Sequence, residues 1–272
     1  MRFDQSLADK LDAAMFDQLL PQDAVESLTG WLADPARGKR YANGSGPHAI
    51  VYTPSKWPAV APWPAGFADR TTAGPSTVSR ADVVTAVRAA GAAENWTEAF
   101  VATQVWGYGP TGYGPHRTAR TLARPHVDAV LADAVSLLVH EGAIAAYERL
   151  STLHGLGPAF HTKFLYFAGL ALPEVRGPLP LILDSVLAGV LRRHATRAGH
   201  AAGYDWSEAI ANRVWGRGNW TSHRYDVYLR WMHEANDHLT TASKDWRVPP
   251  DVLELALFSQ AWAPAGHFGG PA

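Results

Sequence analysis

The sequence predicts an all-α fold carrying one irregular N-terminal segment. Three observations lead there. Apolar residues recur at i, i+3, i+4 spacing through most of the 272 residues. Capping residues stand immediately ahead of several of those periodic runs. Proline, glycine and tryptophan concentrate in residues 39–79, where the helical period is lost. No repeat of 20–50 residues is visible, and the length suits a single helical domain over residues 1–272 with residues 39–79 as an insertion.

Taken in order, Leu7, Leu11, Met15, Phe16, Leu19 and Leu20 form one apolar stripe and predict a helix over 7–20. Residues 23–32 make a second. Within the irregular segment, residues 49–52 read as a short strand. Ser79 and Asp82 form a capping box that opens a helix ending near Gly91. Asn95 caps the next, which runs through Trp106. Residues 107–115, Gly-Tyr-Gly-Pro-Thr-Gly-Tyr-Gly-Pro, read as a loop. Helices follow over 125–139 and 143–153, then a Gly155–Gly157 turn, then a helix over 158–169 that begins with Pro158 at its first position. A loop with three prolines leads to Asp184, which caps 185–197. Asp205 or Ser207 caps a helix to about Trp215. The last helices are predicted over 219–239 and 249–262, and the tail from Pro264 reads as loose.

Composition excludes several classes of function. With no cysteine, disulfides, thiolate catalysis and cysteine-ligated metal centres are ruled out. No apolar run reaches the roughly 18 residues that span a bilayer; residues 179–190 are too few, and Asp184 interrupts them. The N-terminus lacks the order of a signal peptide, so a cytoplasmic, nucleoid-associated monomer is expected. Net charge is −1, which is not the footprint of a nonspecific nucleic-acid coat. Any nucleic-acid binding must come from local clusters: Arg37, Lys39, Arg40; Arg117, Arg120, Arg124; Arg192, Arg193, Arg197; Arg213, Arg217, Arg224. Arginine suits bidentate phosphate contacts, although a chain rich in Ala, Gly and Pro is also expected to favour it by composition.

The most informative stretch is Leu153-His154-Gly155-Leu156-Gly157-Pro158, followed by Lys163 and later by Asp184. A Gly-x-Gly turn between helices frees backbone N–H groups at a helix N-terminus, which can hold a phosphate without a side chain. Phe160, Phe164, Leu165 and Phe167 around Lys163 predict an apolar setting, which favours the neutral, nucleophilic amine. As a bare structural element, Asp184 is an ordinary N-cap.

Hairpin, lysine and capping aspartate together resemble the helix–hairpin–helix DNA glycosylases, and more narrowly their 8-oxoguanine branch; the likeness covers residues 143–193. The resemblance implies excision of a modified base from double-stranded DNA, with 8-oxoguanine first, and an associated AP-lyase activity. It makes Lys163 the Schiff-base nucleophile and Asp184 its electrostatic and proton-transfer partner. Gly155, Leu156, Gly157, His154 and His161 would hold the DNA backbone, and a monovalent cation would sit on hairpin carbonyls. In that branch the lysine stands two residues after the second glycine, where this chain has Ala159. Lys163 lies one helical turn further, on the same face and about 6 Å along the axis.

A glycosylase must flip its target and plug the gap. Tyr108, Tyr113, His116 and Arg117 stand where the resembled enzymes carry wedge and orphan-base residues; alternatively they brace a rigid turn. Trp246, Phe258, Gln260 and Trp262 stand where part of a base pocket is expected, although tryptophan and phenylalanine at this spacing also build cores. Trp215, Trp220 and Trp231 read as core. The histidine pairs His194/His200 and His233/His238 lack the spacing of a zinc helix, so no transition metal is expected. Two other readings remain: a phage-defence glycosylase acting on hypermodified bases, and a noncatalytic DNA-binding module.

Overall fold

The computed structural model describes residues 5–216, 218 and 220–264. Along the chain run α1 (Gln5–Asp17), α2 (Gln22–Ala33), β1 (Ala49–Tyr52), β2 (Ser76–Ser79), α3 (Arg80–Ala92), α4 (Trp96–Tyr108), α5 (Gly114–Leu122) and α6 (Val127–His140). Then come α7 (Ala143–Ser151), α8 (Pro158–Ala171), α9 (Ser185–Ala201), α10 (Ser207–Trp215), α11 (Ser222–Ala242) and α12 (Pro250–Phe258). The all-α expectation holds, with one small two-stranded sheet among the described residues. No helix of the described residues is long and apolar enough to cross a membrane. Arg217, Asn219 and the tail beyond Pro264, named above in a cluster, a helix start and a loose end, lie outside the described residues, as do residues 1–4. The chain falls into two compact units, Met1–Gly44 with Leu183–Ala272, and Ser45–Ile182.

In the unit Ser45–Ile182, α4 and α8 are the buried helices. Ala99 to Trp106 on α4 and His161 to Gly169 on α8 are inaccessible on every face, as expected of helices apolar all round. They pack on each other, with α3 against both, α6 on α4 and α7 on α8. The capping box forms as predicted: Ser79 Oγ accepts from Asp82 N at 3.2 Å, and Asp82 Oδ2 accepts from Ser79 N at 2.8 Å. Ser79 also ends β2, whose antiparallel pairing with β1 places Tyr52 opposite Ser76 and Ala49 opposite Ser79. The irregular segment has its own aromatic packing, Trp57 against Trp63 and Trp63 against Phe67. Arg70 closes it by donating to the carbonyls of Pro58 at 3.0 Å and Val60 at 2.8 Å. Buried Arg80 pins the start of α3, donating to Tyr166 Oη at 3.0 Å and lying over the ring of Trp106.

The other unit is built on α9, which packs against α1, α10 and α12. Its centre holds a buried ion pair, in which Arg224 Nη1 and Nη2 donate to the two carboxylate oxygens of Asp12. Asp23 accepts from both Nη1 and Nη2 of Arg197 at 3.0 Å. That bond, ahead of all other influences, holds the Asp23 carboxyl below its usual range. His194 is enclosed between Trp231 and Trp262.

Two expectations are corrected. Residues 107–115 are not one loop: α4 continues through Tyr108, α5 begins at Gly114, and the turn is confined to the residues between. Gly107 stays helical because Gly109 N still reaches Val105 O, and Pro115 sits at the start of α5, where a missing N–H costs nothing. Neither Asp205 nor Ser207 caps α10, whose N-cap is Trp206 without a side-chain bond. Ser207 is instead buried, with its hydroxyl donating to Thr196 O at 3.3 Å.

Two predictions follow from these cores. Arg224→Met should destabilise the protein by about 3 kcal/mol, because it strands the Asp12 carboxylate in the interior, whereas Asp12→Leu with Arg224→Met should cost far less; urea titration distinguishes them. Burial lowers His161 and His194 to about 4. Their unfolded values lie near 6.5, so between about pH 6.5 and 4 the unfolded chain binds more protons. Stability is therefore full above that window and falls with acid by up to ~1.4 kcal/mol per pH unit for each histidine. In chemical denaturation at a series of pH values, His194→Phe should flatten this decline.

Candidate active site

The hairpin is shaped by two buried leucines and two exposed glycines. Leu153 and Leu156 point into the core, leaving Gly155 and Gly157 on the surface. Leu156 N donates to Leu153 O at 3.2 Å, closing the turn, and Gly155 takes φ +91°, a conformation that side chains resist. Gly157 is the N-cap of α8, and its carbonyl accepts from Phe160 N at 2.8 Å and His161 N at 3.2 Å. The amides of Gly155 and Gly157 donate to no carbonyl among the described residues, and Pro158 has no donor to offer. Two outward amides at the positive end of a fourteen-residue helix form a natural anion cradle.

Facing that cradle is α5. An open cleft of about 400 Å³ has Gly155, Leu156 and Gly157 on one side and Arg117, Arg120 and Arg124 on the other. The arginines are exposed; Arg117 and Arg120 share a face of α5, and Arg124 follows two residues beyond its end. No carboxylate lines the cleft. His154 is exposed at its edge, with Nδ1 3.1 Å from Thr152 O. His161 is corrected: it lies 3% exposed beneath the turn with its ring edge on Tyr147. Lowered to about 4 by burial, it is neutral at pH 7 and offers no charge to a phosphate.

Lys163 lies on α8 one turn beyond the hairpin and is 8% exposed. Its aliphatic stem crosses α4 at Gly107, where an added Cβ would meet Lys163 Cδ at 2.8 Å and the Phe160 ring at 3.3 Å. Its ammonium stands 5.0 Å from the centre of the Phe160 ring. Phe160 in turn stacks on Tyr108 with centroids 4.2 Å apart. The Arg117 guanidinium beside the Tyr108 hydroxyl opposes the burial that raises that phenol's pKa. A continuous series of contacts thus runs from the amine to the arginine face. Gly107 escaped assignment to the site at the sequence level, where Arg120 and Arg124 stood only within one of four cationic clusters and Phe160 only within the apolar setting of Lys163. The arginine spacing becomes readable once 114–122 is taken as a helix.

Asp184 belongs to the other unit, where it caps α9 as expected. Oδ1 accepts from Val186 N at 2.9 Å and Leu187 N at 3.0 Å, so the second oxygen takes no part in the cap. The cap fixes the carboxylate plane while half of it stays outside those bonds.

The remaining candidates separate by burial. Tyr113, 74% exposed, projects from the turn between α4 and α5, with exposed His116 on the first turn of α5. Tyr108 is half-buried in its stack rather than projecting. Trp246 and Trp262 are corrected to core residues. Each is buried and its indole N–H is satisfied, by Asn236 Oδ1 at 2.9 Å and Asp23 Oδ2 at 3.2 Å. Phe258 ends α12 partly exposed, and Gln260 follows it on the surface. Trp215, Trp220 and Trp231 are buried as expected. Of the hairpin carbonyls expected to hold a monovalent cation, those of Leu153 and Gly157 accept backbone amide protons. Among the described residues, Asp9, Asp12 and His223 lie close enough to share a metal, but Asp12 gives both oxygens to Arg224.

Comparison with curated proteins and with solved structures returns no significant match. A family model described as "Putative 8-oxoguanine DNA glycosylase OGG-like protein" matches residues 43–258, more than three quarters of the chain. The match runs from the irregular segment through the hairpin, Lys163 and Asp184 to the end of α12. The chain therefore belongs to this OGG-like family of DNA glycosylases.

Proposed function

We propose that the protein removes a modified base from double-stranded DNA, 8-oxoguanine foremost, with Lys163 as nucleophile and a coupled AP-lyase step. The observation that carries this reading is the setting of Lys163: a nearly buried amine, one turn beyond an anion cradle, with its stem braced across Gly107. The hairpin amides and His154 hold the backbone beside the target. Tyr113, His116 and Arg117 occupy the gap and meet the orphaned base, with Tyr108 supporting Arg117 from below.

In the reaction, neutral Lys163 Nζ attacks C1′ of the deoxyribose. The bond from C1′ to the base nitrogen breaks, and the electron pair leaves with the base, which takes up a proton. C1′ becomes cationic along the way, and the Asp184 carboxylate stabilises that charge. The bond from C1′ to O4′ then opens as nitrogen loses its protons, leaving an imine between C1′ and Nζ. Loss of a C2′ proton expels the 3′ phosphate and nicks the strand.

Borohydride reduces such an imine to a stable amine, which gives a direct test. Wild-type protein with an 8-oxoguanine duplex should yield a covalent adduct. Lys163→Gln should yield none, and Asp184→Asn should slow adduct formation at least a hundredfold. Adducts on glucosylated or otherwise hypermodified phage DNA alone would replace the substrate assignment and keep the chemistry. The absence of adducts across the panel, with Lys163→Gln retaining full function in cells, would leave a noncatalytic DNA-binding module. Gly107→Ala, whose new methyl collides with the Lys163 stem, should slow trapping about tenfold at saturating DNA and leave DNA affinity unchanged; a melting curve checks its fold.

A further inference from the structure

The hairpin amides alone make a weak anchor for DNA on a chain whose net charge is −1. The opposite wall of the cleft changes that account. Arg120 and Arg124 are exposed, and among the described residues neither forms a salt bridge with a carboxylate. Arg124 leans onto the turn itself: its Nη2 lies 3.5 Å from where a side chain on Gly155 would begin. Its guanidinium and the free Gly155 and Gly157 amides thus border the same space. Arg120 lies one turn back along α5, and Arg117 beyond it is oriented by Tyr108.

We propose that Arg120 and Arg124 are DNA-backbone contacts that turn the hairpin cradle into a clamp for consecutive phosphates of one strand. Arg124 shares a phosphate with the hairpin amides, and Arg120 takes the neighbouring one. Arg117 and Arg120 stand one turn apart on α5, and Arg124 lies just past the helix end against the turn, so the guanidinium groups are spread along the cleft. Guanidinium groups suit this role because they bind phosphate oxygens in pairs. The clamp meets only phosphates and so reads no sequence. This inference rests on the DNA-acting function proposed above, but it concerns binding rather than base removal.

The test uses fluorescence anisotropy of the full chain with a labelled, unmodified 25-base-pair duplex over a range of NaCl concentrations. The slope of log affinity against log salt should fall by about 0.9 for Arg120→Gln, by a similar amount for Arg124→Gln, and by about twice that for the double variant. The double variant should bind about tenfold more weakly at 0.1 M salt. Arg120→Lys with Arg124→Lys, which keeps the charge, should retain the slope and show that packing is not responsible. An unchanged slope and affinity in the double glutamine variant would overturn the clamp and leave the glycosylase reading intact. Wild-type protein that fails to bind the duplex would overturn both.

Discussion

The contact between the Lys163 stem and the backbone of α4 at Gly107 governs much of the candidate site. A lysine inside a helical core needs a surface for four methylene groups and an outlet for its charge. Gly107 supplies the first by having no side chain, so that the stem crosses α4 at a distance a methyl would forbid. The Phe160 ring supplies the second, with its face toward the ammonium. Because Phe160 also stacks on Tyr108, the same packing carries across the end of α4 to Arg117 on α5. The amine, the end of α4 and the start of α5 are thus joined by one series of side-chain contacts.

The second organising feature is where positive charge lacks a partner. Three arginines elsewhere pair with carboxylates, Arg149 with Asp133, Arg197 with Asp23 and Arg224 with Asp12. Beside the hairpin, by contrast, three guanidinium groups border one cleft whose lining holds no carboxylate. In a chain of net charge −1, such local imbalance decides how an anion meets the surface. The dipole of α8 and the free hairpin amides face the same cleft, so helix, backbone and side chains all favour one sign of charge there.

Local signals were the legible part of this chain. The capping box at Ser79, the Asn95 and Asp184 caps, Pro158 at the start of α8 and the strand at 49–52 all act within a few residues, and each stands as the sequence implies. The hairpin was legible for the same reason. What failed depended on tertiary surroundings. Six glycines and prolines in 107–115 suggested a loop, yet Gly107 lies inside α4 with the Lys163 stem against its open face, and Pro115 opens α5. Trp246, Trp262 and His161 carry side chains equally at home in a pocket or a core, and burial alone separates the two. No spacing rule could assign His161, since its position next to the hairpin says nothing about which way α8 turns it.

The displaced lysine brings these strands together. At Ala159, the position used in the resembled branch, a side chain would sit on the first turn of α8, half-buried and close to the phosphate cradle. At Lys163 it sits one turn deeper, roughly 6 Å along the axis, where a Cβ at residue 107 would meet its Cδ at 2.8 Å and force the stem to shift. Gly107 and Lys163 are therefore coupled: the glycine has a use because the lysine moved, and the lysine fits because the glycine is there. On the proposed reading, the face of α8 that delivers the amine is unchanged, so the attack on C1′ and the imine chemistry carry over. The depth at which a sugar must sit does change, and with it the space left for the flipped base. The shift therefore bears on which base is accepted more than on how the bond is broken.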